Sequence, residues 1–300
     1  MAVQLSLPVP ELFSFAQNLS YLERSPLEIL YTVQNGKVYR AIDAEGTALV
    51  VEIGMAADDS ALLVRFLGDG PPPGAAVRAA ATRYVRRWFD LDTDLRPFDE
   101  MAQKDTLLQE PARLYRGLRI AGIPDLFEAI SWGILGQQIN LPFAYTLKRR
   151  LIEQYGRRLE AGNQSYAMFP TPERIAGLSV EELRPLQLSS RKSEYLIHVA
   201  QLIGRGELSR EGLLAEGDLA RMEQALVRIR GIGPWTANYV LMRCLQMPTA
   251  FPIADVGLHL ALKQALGWDR KPTIPEIREL AGGWSGWEAY ATFYMWRLLY

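Results

Sequence analysis

The sequence predicts an α+β protein, in which an N-terminal antiparallel sheet with packed helices (residues 1–110) is followed by an all-α domain (residues 111–300). Alternation of apolar and polar residues, typical of strands, occurs in the first third of the chain, and helical spacing dominates after it. The charge balance changes at the same place. Residues 1–110 contain 10 basic and 16 acidic residues, whereas residues 111–300 contain 23 and 18. The basic excess of the second part favours a polyanionic partner, although ordinary surface variation would also produce it.

Local patterns predict the elements of the first domain. The segment ELFSFAQNLSYLE (residues 11–23) has the apolar spacing of a helix. Alternating segments flank Asn35-Gly36, which is a strong signal for a two-residue β-hairpin turn. The segments ALVVEIGM (residues 48–55) and ALLVRFLG (residues 61–68) supply further strands. We therefore expect three or four antiparallel strands.

Helices follow from this point onward. After a break at Pro71–Gly74, the segment AAVRAAATRYVRRWFDL (residues 75–91) has a helical period and is expected to pack across one face of the sheet. Beyond Pro111, apolar segments with helical spacing alternate with short turns rich in Gly, Pro and Ser, which predicts the all-α domain. The basic run Lys148–Arg150 is expected to face solvent.

Composition excludes several classes of protein. The chain has one cysteine, Cys244, so it cannot build a disulfide framework or a cysteine-ligated zinc or iron–sulfur site by itself. No apolar run approaches the roughly 18 residues of a membrane-spanning helix. These features predict a cytoplasmic protein that has no membrane partner and does its chemistry without a transition metal.

The segment RIRGIGPWTANYV (residues 228–240) predicts a glycine-built turn between two helices. Pro234 suits the first turn of a helix because the amide it lacks has no intrahelical partner there. Gly231 and Gly233 permit positive φ and a close approach of another backbone or a phosphate. The amides at the start of the second helix then form an anion site, for which duplex DNA is the obvious ligand.

Arginines near this turn could reinforce such a site. Arg228, Arg230 and Arg243 are close enough in sequence to help neutralise a DNA phosphate, a contact that positions DNA without reading its sequence. The alternative is that Gly231 and Gly233 only form a tight connection between two packed helices.

Asp255 is the candidate catalytic residue. It lies 22 residues after Gly233, at the end of the segment MPTAFPIAD and just before an apolar helix. An aspartate there is an ordinary helix N-cap. The same position, facing the hairpin across a cleft, also suits an active-site carboxylate.

Three segments together carry a family resemblance. The segments IRGIGPWTA (residues 229–237), FPIAD (residues 251–255) and ILGQQIN (residues 134–140) resemble the helix-hairpin-helix DNA glycosylase superfamily, and in detail its 3-methyladenine DNA glycosylase II (AlkA) branch. The resemblance covers nearly the whole chain, because that branch also carries an N-terminal antiparallel sheet with packed helices.

The resemblance implies an enzyme of base excision repair that extrudes alkylated purines such as 3-methyladenine from duplex DNA and hydrolyses the N-glycosidic bond. Loss of the base leaves an oxocarbenium-like sugar, and the Asp255 carboxylate would stabilise its charge or orient water. Trp235, Tyr239 and Trp296 match the aromatic positions that line the base pocket in the family. Their electron-rich faces would attract a cationic base.

The resemblance also assigns residues to DNA binding: Gly231, Gly233, Thr236, Arg228, Arg230, Gln137 and Gln138. Gln137 and Gln138 lie in the loop that would fill the gap left by the extruded base. Gln138 stands where the branch has leucine, which departs from the pattern and weakens the expected unstacking contact. The alternative is that both are surface glutamines at a helix break.

Reaction type and cofactors follow from the same comparison. Bifunctional relatives carry a lysine two residues beyond Gly233, whereas this chain has Trp235 there, which implies a monofunctional enzyme without lyase activity. The resemblance implies that no cofactor is required. In the family the hairpin commonly holds a monovalent or other hard cation through backbone carbonyls, which correspond here to Val227, Ile229 and Ile232. The expected partner is damaged double-stranded DNA, and the protein is expected to be a monomer that is nucleoid-associated when it is bound to DNA.

Two other functions remain open on the sequence. A non-catalytic helix-hairpin-helix DNA-binding protein would have the same hairpin and basic half but no need of Asp255. A glycosylase of the same fold could act on oxidised or deaminated purines, although the branch for oxidised purines ordinarily has the lysine that this chain lacks.

Overall fold

A five-stranded antiparallel sheet forms the N-terminal part of the protein. The computed structural model describes residues 4–68 and 70–299; residues 1–3 and 300, at the outer ends of the two predicted domains, lie outside the described part, as does residue 69. The sheet has the order β1-β5-β4-β3-β2. Its strands are β1 (Gln4–Pro8), β2 (Tyr31–Gln34), β3 (Lys37–Ala44), β4 (Thr47–Met55) and β5 (Ala61–Leu67).

The predicted hairpin is confirmed, and the sheet has one strand more than the sequence indicated. Asn35 and Gly36 have φ of 53° and 68°, the two left-handed residues that a tight β2–β3 turn requires. The additional strand, β1, pairs with β5 along the sheet edge. Its short segment QLSLP carries too few residues for a clear alternation to be recognised.

Helices make up most of the rest of the described chain. They are α1 (Phe15–Leu22), α2 (Ala75–Trp88), α3 (Arg96–Ala102), α4 (Gln109–Leu114), α5 (Leu126–Gly136), α6 (Leu141–Tyr155), α7 (Pro172–Ala176), α8 (Val180–Leu183), α9 (Ser190–Gly204), α10 (Arg210–Ala215), α11 (Leu219–Val227), α12 (Pro234–Arg243), α13 (Val256–Leu266), α14 (Ile274–Leu280) and α15 (Glu288–Trp296). The predicted fold class, an antiparallel sheet with packed helices followed by a helical domain, is confirmed. Within the described ranges, no helix is both long and apolar enough to cross a membrane.

One small hairpin interrupts the helical part. Strands β6 (Arg157–Ala161) and β7 (Gln164–Met168) pair through a two-residue turn at Gly162-Asn163. Tyr166 and Met168 of this hairpin pack in one apolar cluster with side chains of the N-terminal sheet. A Gly-Asn pair between two short segments is itself a hairpin signal, so the sequence contained the information that would have predicted it.

The hydrophobic core is continuous across the predicted boundary at residue 110. Trp88 of α2, Phe127 of α5 and Phe293 of α15 belong to the same buried cluster. Consequently α1 and the sheet are held directly against the helices that carry the candidate site.

Candidate active site

A tight turn joins α11 to α12, and Gly231 is the residue that permits it. Gly231 has a φ of 97°, in the left-handed region that favours glycine. A Cβ atom added at this position would lie 2.2 Å from the ring of Tyr195 on α9. Gly233 is different, because its φ is −91° and an added Cβ would meet nothing within 4 Å. Gly231 is therefore required by packing, whereas Gly233 leaves the start of α12 open.

Replacement of Gly231 is expected to damage the hairpin. Gly231→Ala combines a strained backbone with a collision against Tyr195, and we expect it to lower the free energy of unfolding by about 1–3 kcal/mol. Urea denaturation followed by circular dichroism measures the loss. Gly233→Ala is the matched control and should lower the free energy of unfolding clearly less than Gly231→Ala. Equal losses for the two variants would contradict this account.

The first turn of α12 has the features of an anion site. Gly233 is its N-cap and offers no side chain to the free amides, and Pro234 occupies the first helical position. Amides at a helix N-terminus that the protein leaves uncapped attract negatively charged groups. A phosphate at this point would meet open space around Gly233.

Gln137 connects the neighbouring loop to the hairpin. Its Nε2 donates to the Gly231 carbonyl at 2.8 Å and to the Thr236 Oγ1 at 3.3 Å. Thr236 is buried, and its methyl group faces Gly133 so closely that an added Cβ there would lie 2.6 Å away. The amide nitrogen of Gln137 and the side chain of Thr236 are thus engaged inside the protein.

Gln138 points outward from the same loop. The loop lies between the end of α5 at Gly136 and the start of α6, where Asn140 accepts a hydrogen bond from the Phe143 amide at 2.9 Å. Gln138 is exposed and has a φ of 56°, an uncommon conformation for a residue other than glycine. Of the two glutamines, Gln138 is the one whose side chain is available to a ligand.

The three arginines near the hairpin have different surroundings. Arg228 is exposed, and Arg230 is exposed but paired with Glu194 at 3.0 Å. Arg243 is buried, with its Nε 2.6 Å from the Ala121 carbonyl and its Nη1 2.9 Å from the Tyr239 hydroxyl. The expectation that Arg243 helps to neutralise phosphate was therefore wrong, because α12 turns this residue into the core.

The carbonyls proposed for a cation belong to the same hairpin. Val227 is the last residue of α11, and the Ile229 carbonyl accepts the Ile232 amide at 3.0 Å. Among the described residues, no group of three or more His, Cys, Asp or Glu side chains could hold a metal ion.

Asp255 is held by three N–H donors. As the N-cap of α13 its Oδ1 accepts the Leu258 amide at 2.8 Å, and the same oxygen accepts Trp296 Nε1 at 2.8 Å. Its Oδ2 accepts Trp235 Nε1 at 2.9 Å. Three donors aimed at one carboxylate stabilise its negative charge and fix its orientation. The carboxylate is thus both a helix cap and a preorganised charge beside the hairpin.

An aromatic row lies against this carboxylate. The Tyr239 ring centroid is 5.7 Å from that of Trp235 and 6.3 Å from that of Trp296, with interplanar angles of 35° and 31°. Burial raises the pKa of the Tyr239 phenol, which accepts a hydrogen bond from Arg243. The structure therefore brings Asp255 and the three candidate pocket aromatics into one group.

Sequence reasoning missed the part of this group that the N-terminal domain supplies. Tyr21 of α1 is buried, lies 4.5 Å from the Phe293 ring, and accepts a hydrogen bond from Arg243 at 3.3 Å. Arg24, just after α1, places its guanidinium 3.9 Å from the Tyr21 ring centroid. No short sequence motif marks these residues, because only the packing of α1 against α12 and α15 brings them to Phe293 and to Arg243, which also donates to Tyr239.

Two family models match the chain. Residues 132–285 match the HhH-GPD superfamily of base excision DNA repair proteins, and residues 4–125 match the AlkA N-terminal domain. A DNA-3-methyladenine glycosylase of Bacillus subtilis (strain 168) is 47% identical over 292 residues, which are 97% of this chain and 96% of that protein. The DNA-3-methyladenine glycosylase 2 of Escherichia coli (strain K12) is 33% identical over 180 residues, 60% of each chain.

Solved structures share the fold at lower identity. The 3-methyladenine DNA-glycosylase from Archaeoglobus fulgidus has a TM-score of 0.81 at 22% identity, covering 98% of this chain and 97% of that one. An 8-oxoguanine glycosylase/lyase of Clostridium acetobutylicum, solved with double-stranded DNA, has a TM-score of 0.73 at 19% identity, covering 95% and 91%. The family resemblance inferred from the three segments is confirmed: the chain belongs to the HhH-GPD superfamily of base excision DNA repair proteins and carries an AlkA N-terminal domain.

Proposed function

We propose that this protein is a monofunctional DNA glycosylase that excises alkylated purines such as 3-methyladenine from duplex DNA. The observation that carries the proposal is the Asp255 carboxylate, which two indole N–H groups and one backbone N–H hold beside an aromatic row. The names of the relatives from Bacillus subtilis and Escherichia coli support the same substrate class.

The Asp255 carboxylate stabilises the transition state electrostatically. The bond between the sugar C1′ and the base nitrogen breaks, and its electron pair leaves with the base. Positive charge develops on the sugar, as in other glycoside hydrolyses, and a fixed carboxylate lowers the energy of that charge. Water then bonds to C1′ and releases a proton. A purine nucleotide alkylated at N3 or N7, as in 3-methyladenine, is already cationic, so the base departs as a neutral molecule and needs no separate general acid.

The aromatic row accounts for the binding of a cationic base. The faces of Trp235, Tyr239 and Trp296 carry negative charge density, which contributes roughly 0.5–2 kcal/mol to the binding of a cation. The edges of the two tryptophans hold Asp255 at the same time. One set of side chains thus serves both base binding and orientation of the carboxylate.

Damaged double-stranded DNA would bind across the hairpin. The open start of α12 at Gly233 would take a phosphate, and Arg228 and Arg230 would add positive charge. Gln138 would occupy the gap left by the extruded base, while Gln137 holds its loop to Gly231. No cofactor enters this scheme; a monovalent cation on the carbonyls of the hairpin would only rigidify it. We expect a monomer, which sedimentation analysis checks.

We expect no strand cleavage. The position that would carry a Schiff-base lysine holds Trp235, whose indole nitrogen donates to Asp255 and is not a nucleophile. After incubation with methylated duplex DNA, strands should break only when alkali is added, and borohydride should trap no covalent complex. Cleavage without alkali, or a trapped complex, would show lyase chemistry.

Base release tests the proposal directly. The purified protein is incubated with methylated duplex DNA, and free bases are separated by chromatography. Release of 3-methyladenine supports the proposal. Binding of the duplex without release of any base would instead identify a DNA-binding protein that does no chemistry.

A further inference from the structure

A small charged cavity adjoins the aromatic row. It has a volume of about 30 Å³, enough for about two water molecules and too small for a purine ring system. Tyr239 lines it and also contacts both tryptophans that hold Asp255. The cavity can therefore receive an exocyclic group on the edge of a base that lies against Tyr239, but not the whole base.

The side chains that line this cavity carry a net positive charge. Its lining includes four cations and two carboxylates: Arg24, Arg40, Lys148, Arg243, Glu28 and Glu128. Glu128 pairs with Arg40 at 2.6 Å and with Lys148 at 3.3 Å, and Lys148 also pairs with Glu28 at 2.8 Å. Both carboxylates are thus occupied by Arg40 and Lys148.

Arg24 and Arg243 are left without a carboxylate partner among residues 4–68 and 70–299. Nη1 of Arg24 donates to the Tyr21 carbonyl at 3.1 Å, and in the part of the chain described here its Nε and Nη2 find no acceptor. Arg243 is directed at the Ala121 carbonyl and two phenols, so its position is fixed. Arg24 therefore has donors to offer to a group that enters the cavity.

We propose that Arg24 is a specificity-determining residue that donates hydrogen bonds to an oxo group at C6 of the extruded purine. This inference rests on the proposed function. Arginine recognises carbonyl oxygens on purine edges well, whereas an amino group at C6 would bring donor against donor. The enzyme should accordingly favour oxopurines such as 7-methylguanine over aminopurines such as 3-methyladenine more strongly than a variant without Arg24.

Methylated duplex DNA contains both test substrates in one sample. 7-Methylguanine and 3-methyladenine are both cationic but differ at C6, so the ratio of their release rates isolates the effect of that group. Arg24→Met keeps the aliphatic stem against Tyr21 and removes the donors. We expect this variant to lower the ratio of 7-methylguanine to 3-methyladenine release about tenfold. Arg83→Met, which removes an exposed arginine of the same domain, should leave the ratio at the wild-type value.

The outcomes separate this inference from the proposed function. If Arg24→Met slows both releases in proportion, or leaves the ratio unchanged, Arg24 has only a structural role. If the wild type releases 3-methyladenine but no 7-methylguanine, selection of oxopurines is also refuted. If the wild type releases neither base, the proposed function itself fails.

Discussion

Asp255→Asn should reduce the single-turnover rate of 3-methyladenine release by about 10²- to 10³-fold or more, the effect of removing one preorganised electrostatic contact from an active site. The amide side chain of asparagine keeps the cap of α13, since Asn and Asp are equally good N-caps. Its oxygen can still accept the Leu258 amide and Trp296 Nε1, but its NH₂ group faces the donor Nε1 of Trp235. The variant therefore loses the charge and one hydrogen bond.

Asp218→Asn is a matched control for the cap. Asp218 is the exposed N-cap of α11 and accepts the Arg221 amide at 2.9 Å. If capping were the only role of Asp255, the two substitutions would have similarly small effects on base release. DNA affinity, measured by fluorescence anisotropy, should persist in Asp255→Asn. Retention of rapid base release by this variant would refute the assigned role.

The indole hydrogen bonds can be tested separately. Trp296→Phe keeps a ring beside Tyr239 but removes one of the two donors to the Asp255 Oδ1. We expect base release to fall less than in Asp255→Asn, because the Leu258 amide and Trp235 still hold the carboxylate.

Lys148→Met should lower the free energy of unfolding by about 3–5 kcal/mol at pH 7, because it leaves two buried carboxylates short of a partner. The Lys148 ammonium lies between Glu28 and Glu128, and Arg40 completes the group from β3. All four side chains are at most 8% exposed. This ion cluster ties the N-terminal sheet to α5 and α6. Arg149→Met, at an exposed neighbouring position, should cost no more than about 1 kcal/mol.

The pH dependence of the free energy of unfolding gives a second test of the Lys148→Met prediction. Burial raises the pKa of Glu28, but the charge and hydrogen bond of Lys148, together with the Leu30 amide and the Arg40 charge, outweigh burial, and the net pKa is lowered from 4.5. The folded pKa lies below the unfolded one, so this contribution is present above about pH 4.5 and is lost as the pH falls through the folded value. In Lys148→Met the Glu28 carboxylate no longer has the Lys148 charge beside it. Protonation of Glu28 then removes the cost of burying an unpaired negative charge. The stability deficit of the variant should therefore narrow between pH 7 and pH 5; a constant deficit would argue against the buried-charge explanation.

The amino-acid sequence alone determined the features that depend on residues close together along the chain. The Asn35-Gly36 hairpin, the turn at Gly231 and the cap at Asp255 follow from local backbone requirements that the residue types themselves reveal. The α+β class followed from the change of apolar period, and the family from three short segments. Such signals act over a few residues and are visible without any knowledge of packing.

Tertiary structure decided the features that depend on which side chains meet. Lys148, expected in solvent, lies in a buried ion cluster, and Arg243, expected at the DNA, supports Tyr239 from inside the core. Arg24 reaches the same cavity from the N-terminal domain. No periodic pattern in the sequence distinguishes an exposed lysine from a buried lysine in an ion pair. The carboxylate partners of Lys148, Glu28 and Glu128, are distant from it in sequence. Only the packing of the sheet and α1 against α5, α6 and α12 brings these charges together, and their long-range contacts determine the charge of the cavity that Tyr239 lines.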